Sequence, residues 1–139
     1  MRKIIFLIFF FCTVSCEDNE VQDVLPEVKV NVNISLNLPQ YIALQTPSGW
    51  AYTNGGIKGI IIQNIGIGSP PYKAFERACP NYDCNSPMTF DGSLRMSCPC
   101  DQSDYSIIDG SPQTSGNFHF AREYKVNIVN NATLNITNF

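Results

Sequence analysis

The chain has 139 residues, with 9 Lys and Arg against 12 Asp and Glu and a formal net charge of −3. Without residues 1–15, which include Arg2 and Lys3, 7 basic side chains (9 − 2) face 12 acidic ones, a balance of −5. That balance argues against nucleic acid, which is bound through Lys and Arg neutralising phosphates. The roughly 124 residues that follow suit one domain with a single core.

The opening "MRKIIFLIFFFCTVSC" sets Arg2 and Lys3 before an apolar run from Ile4 to Phe11. That run is shorter than the about 20 residues a bilayer span needs, so residues 1–15 read as an export signal. Ser15 directly before Cys16 resembles the lipobox of bacterial lipoproteins, with Thr13 where that pattern prefers Leu. The resemblance implies acylation of Cys16 and an anchor of buried methylenes in place of a membrane span. An ordinary secretory signal with an incidental cysteine is the alternative. Residues 16–27 are acidic and aperiodic and read as a tether. Glu17, Asp18 and Glu20 stand where surface-exposed lipoproteins of the Bacteroidetes type carry a sorting signal. The expected location is therefore the periplasmic or cell-surface face of the outer membrane.

From Val28 the pattern alternates, placing Val28, Val30, Val32, Ile34 and Leu36 on one face of a half-buried strand. "PSGWAYTNGG" follows, with Trp50 and Tyr52 as candidates, alongside Tyr72, for a binding surface or a sheet edge. The β-branched run Ile60 to Ile62 and the segment Tyr72 to Glu76 read as strands. Asp91-Gly92 lies between two short runs and predicts a tight hairpin. A second hairpin is predicted from Tyr124, Val126 and Ile128 to Leu134 and Ile136, turning at Asn130-Asn131. No segment carries a helical period, and the chain, with 9 Gly and 9 Pro, reads as all-β.

Four cysteines flank the first hairpin, in "CPNYDC" (Cys79 to Cys84) and "CPCDQS" (Cys98 to Ser103). In an oxidising compartment they default to disulfides, with three possible connectivities. Four thiolates could also hold a tetrahedral zinc, but this spacing is not that of the usual zinc ribbon or finger. A thiol–disulfide centre at Cys98 and Cys100 is a further alternative, though nothing in the sequence supplies the helix N-terminus that commonly lowers a thiol pKa.

The first box resembles the C-T-H-L-G-C box of Rieske iron–sulfur domains, and the second is similar to their C-P-C-H-G-S. Tyr105, Asp109-Gly110 and Gly116 resemble the aromatic, the D-G turn and the later glycine that follow, and the likeness runs over about residues 40–139. The resemblance implies an antiparallel β-sandwich over residues 28–139, with a small cysteine-box subdomain at about 72–112. It places Cys79 and Cys98 on the thiolate ligands of a 2Fe-2S cluster, and Cys84 and Cys100 on the disulfide that clamps the loops. The two imidazole positions hold Asn81 and Asp101. An amide oxygen is a poor iron ligand, and a carboxylate replaces a neutral imidazole by a hard anion.

Deprived of imidazoles, Cys79 and Cys98 are expected to oxidise to a second disulfide, leaving no cofactor and no metal. The alternative is an altered 2Fe-2S site on Cys79, Cys98 and Asp101, in an electron-transfer protein. The expected role is thus structural or partner-binding, with the membrane reached through the lipid, a protein partner not identified by the sequence, and no enzymatic activity. His119, the sole histidine, lies outside both boxes and has no nucleophile elbow around it. Asp101, Asp104 and Asp109 sit in turn-rich sequence, where carboxylates commonly bond the backbone.

Overall fold

The computed structural model describes residues 24–116 and 119–138. The expected export signal, Cys16 and the acidic cluster at 17–20 lie outside the described residues. Among those described, nine strands and one 3₁₀ turn alternate along the chain. The fold is all-β and wholly antiparallel in its pairings.

The larger sheet is built from β1 (Asn31–Ser35), β2 (Trp50–Thr53), β3 (Ile60–Asn64), β4 (Tyr72–Glu76), β8 (Glu123–Asn130) and β9 (Thr133–Thr137). Its order is β1-β9-β8-β4-β3-β2. All six strands supply one core, in which Ile34, Ile136, Tyr124, Ala74, Ile62 and Ala51 meet. One face can form a common core across six strands only if the sheet curls until its ends approach. One contact marks that approach: a Cβ added at Gly55, beyond β2, would stand 2.8 Å from Val32 in β1.

The smaller sheet, β5 (Thr89–Phe90), β6 (Arg95–Ser97) and β7 (Asp104–Ser106), lies in the order β5-β6-β7. A second core gathers Cys79, Cys84, Cys98, Met88, Met96 and Tyr105 against Ile61 and Phe75 of the larger sheet. The expected single core is therefore two. Strand geometry explains this, since neighbouring side chains point to opposite faces: Ile60 and Ile62 enter one core, and Ile61 between them enters the other. Every residue of β3 is buried, as its β-branched run suggests.

Five further details depart from the sequence reading. Tyr72–Glu76 is hydrogen-bonded between β3 and β8 in the larger sheet, so the cysteine-box unit begins after it and not at 72. The stretch around Trp50 is a strand, β2, paired with β3. Leu44 is fully buried from the 3₁₀ turn Ile42–Gln45, a turn too short to show a helical period. In the C-terminal hairpin the register shifts between Ile128 and Asn130, and Asn130 pairs with Thr133. The turn thus falls on Asn131-Ala132, and Ile128, paired with the core residue Leu134 at the end of the hairpin, is 51% exposed. Lastly, the tether does not extend to residue 27: Leu25 is buried, and Arg122 donates to the carbonyls of Leu25 and Pro26 at 2.6 and 2.7 Å.

Candidate functional site

The first cysteine box occupies the connection from β4 to β5, and the second is the turn from β6 to β7. The β5–β6 hairpin between them pairs Phe90 with Met96, which brings the two loops together. Each loop is held by its own backbone. The Tyr82 N–H donates to the Cys79 carbonyl at 2.8 Å, with Tyr82 at φ +55°. In the second loop Cys98 N–H donates to Ser103 O at 2.8 Å, and Gln102 N–H to Cys98 O at 2.9 Å.

Two disulfides join the loops. Cys79 pairs with Cys98, Cα to Cα 5.8 Å, and Cys84 pairs with Cys100, Cα to Cα 5.7 Å. Both separations lie in the ordinary range for such bridges. The pairs differ in environment: Cys79 and Cys98 are each 1% exposed, whereas Cys100 is open to solvent.

Asp101 turns back on its own loop. Its Oδ1 accepts the Ser103 N–H at 3.0 Å and the Ser103 hydroxyl at 2.7 Å. Those two bonds, the backbone one first, hold its carboxyl below the usual carboxylate range. Asp109 and Asp91 make the same local arrangement with Ser111 and Ser93 and are likewise lowered, with the serine hydroxyl the larger cause. Asn81 sits half-buried in the first turn. His119 lies between β7 and β8, away from both boxes in sequence, with a buried Nδ1 that has no hydrogen-bond partner among the described residues.

This donor set does not match a 2Fe-2S cluster of the Rieske kind. Cys79 and Cys98 are bonded to each other and have no thiolate to offer, Asn81 and Asp101 supply no imidazole, and the Asp101 carboxylate is taken up by Ser103. Among the described residues no three His, Cys, Asp or Glu side chains gather as a metal site.

The aromatic candidates form the joint between the sheets. Trp50 meets the Tyr52 ring edge-on at 5.0 Å and Phe90 at 5.4 Å. The Tyr52 hydroxyl accepts from the Phe90 N–H at 2.9 Å and donates to its carbonyl at 3.2 Å. Tyr72 packs at the margin of the main core.

Glu76, at the end of β4, has no counterpart in the sequence reading. It is 0% exposed and accepts four hydrogen bonds, from Ile57 N–H at 2.7 Å, Lys58 N–H at 2.9 Å, Ala78 N–H at 2.8 Å and the Tyr124 hydroxyl at 2.7 Å. One carboxylate thus ties the β2–β3 loop to the residue before the first box. The available signal was the glycine-dense "NGGIKG" at 54–59, since a Cβ at Gly56 would stand 2.1 Å from Glu76 Oε2.

The chain matches no family model and no curated protein. Solved structures resemble it, two of them as follows. One is the ferredoxin of carbazole 1,9a-dioxygenase from Nocardioides aromaticivorans, at 15% identity and TM-score 0.48, covering 81% of this chain and 97% of that one. The other, described as a nitrite reductase NADPH small-subunit oxidoreductase protein, is 15% identical at TM-score 0.43, covering 75% of this chain and 97% of its own.

Proposed function

We propose that this chain is an exported, lipid-anchored domain of Rieske type that carries no cluster and serves a structural or partner-binding role. The observation that carries the reading is the bond between Cys79 and Cys98, the two residues that the box resemblance assigns to iron. Asn81 and Asp101 at the imidazole positions support it, because neither supplies the neutral nitrogen donor of such a site. Two crosslinks then take over the joining of the loops, each contributing about 2–4 kcal/mol by restricting the unfolded chain. The lipid anchor rests on Ser15-Cys16 and the apolar run before it.

The test is a thiol count. Exported protein, denatured directly into an alkylating agent without reductant, is expected to take no label on Cys79, Cys84, Cys98 or Cys100 by intact mass. Two labels together with bound iron would overturn the reading in favour of an electron-transfer centre. Replacing Cys16 by Ala is expected to release the protein from the membrane fraction, and unchanged retention would refute lipidation at that residue.

A further inference from the structure

A cleft of about 370 Å³ opens beside the first cysteine box, between the β2–β3 loop and Arg77. Its walls are shaped in advance. The buried Glu76 carboxylate holds Ile57 and Lys58 by their N–H groups, and Gly55, Gly56 and Gly59 all adopt positive φ. A six-residue link between adjacent antiparallel strands does not require a buried carboxylate beneath it, and an ordinary hairpin turn would be shorter.

The cleft carries two cations that no acid among the described residues pairs with. The Arg77 guanidinium lies 3.8 Å over the Tyr52 ring and spends Nε on the Met88 carbonyl at 3.0 Å. Its Nη groups have no acceptor among the described residues, and Nη1 reaches the cleft wall, 3.7 Å from where a Cβ at Gly59 would stand. Among the described residues Lys58 Nζ meets only the Asn85 carbonyl. The acids that form ion pairs take other partners: Glu123 with Lys73, Asp104 with Arg95, Glu27 with Arg122. In a chain of net charge −3, an acid-free basic cleft is a selective feature.

We propose that this cleft binds a small molecule through a carboxylate, gripped by the free Nη edge of Arg77 and by Lys58, with Tyr52 and Tyr41 contacting its body. A planar two-oxygen group matches the one remaining edge of the guanidinium. Charge favours a monoanion over a phosphate dianion: Lys58 and Arg77 with Glu76 behind them sum to +2 − 1 = +1. This goes beyond the role proposed above and does not depend on the state of the cysteines.

Trp50, the sole tryptophan, touches Tyr52 at 5.0 Å and supplies a fluorescence reporter. The oxidised protein is titrated with benzoate, phenyl phosphate and the uncharged benzamide, following Trp50 emission and the backbone amide signals of residues 55–59. Benzoate is expected to produce a saturable change, phenyl phosphate a weaker one and benzamide none. Arg77→Gln and Lys58→Gln are each expected to weaken benzoate by about tenfold or more. Lys58→Gln leaves the Tyr52 stack intact and serves if Arg77→Gln fails to fold. No saturable change with benzoate, an equal response to benzamide, tighter phenyl phosphate, or undiminished benzoate binding by a folded variant would overturn the proposal.

Discussion

Glu76 is the residue on which the local architecture turns. Its four bonds satisfy a carboxylate that would otherwise be prohibitive to bury. Glu76→Gln keeps the shape but points an amide N–H₂ at donors, so it is expected to lower stability by about 1–3 kcal/mol. The check is a lower urea midpoint at unchanged m. Tyr124 makes the same point through pH. Burial first, and then its bond to Glu76, push its phenol well above the ordinary value. The neutral phenol is thus the folded form, and its contribution is complete below the unfolded value of about 10 and lost as pH rises from there towards the folded one. Alkaline unfolding of the wild type is expected to steepen above about pH 10, and Tyr124→Phe to remove that added sensitivity in a pH series of denaturant midpoints. Asp101 runs the opposite way: its carboxyl is held low by the Ser103 N–H and then the Ser103 hydroxyl, so its small contribution is present above the unfolded carboxylate range and is lost as pH falls.

At the scale of elements, the two disulfides bridge the same pair of loops but differ in access. Thiol–disulfide exchange requires the attacking thiolate to reach a sulfur. Mild reductant under native conditions is therefore expected to open Cys84–Cys100, with its exposed Cys100, before Cys79–Cys98, buried on both sides. Alkylation at early times followed by peptide mapping reads the order, and labelled Cys79 and Cys98 with Cys84 and Cys100 still joined would contradict it. The strands around the loops were largely legible in the sequence. Alternation at Val30 to Leu36 and the isoleucine run of β3 each encode their element locally, and Asp91-Gly92 marks the β5–β6 hairpin, although its link is the four residues 91–94 in place of a tight turn and only Gly92 of the two takes a positive φ. β2 was not legible, because a strand of four residues, Trp50 to Thr53, carries too little alternation to count. The bulge at Ile128 was hidden as well, since it arises from where Asn130 bonds across to Thr133.

On the scale of the whole molecule, two cores share β3 and β4, and only one of them contains the cysteines. Full reduction is expected to free β5, β6 and β7 for amide exchange while β1, β8 and β9, which pack in the other core, stay protected. Hydrogen exchange followed by mass spectrometry distinguishes that from a single global opening. The sequence by itself determined what is local or compositional: an acidic all-β chain, two cysteine boxes about a hairpin, and an amide and a carboxylate at positions 81 and 101. Tertiary structure alone decided that the aromatics Trp50 and Tyr52 form a joint and that Glu76 anchors a basic cleft, whereas the cysteine pairing it shows is the one the box resemblance implied. The reason is sequence distance. Glu76 and Lys58 stand 18 residues apart, and Cys79 and Cys98 stand 19 apart. No periodicity records such meetings, because they are set by how one sheet curls and what the other lays against it.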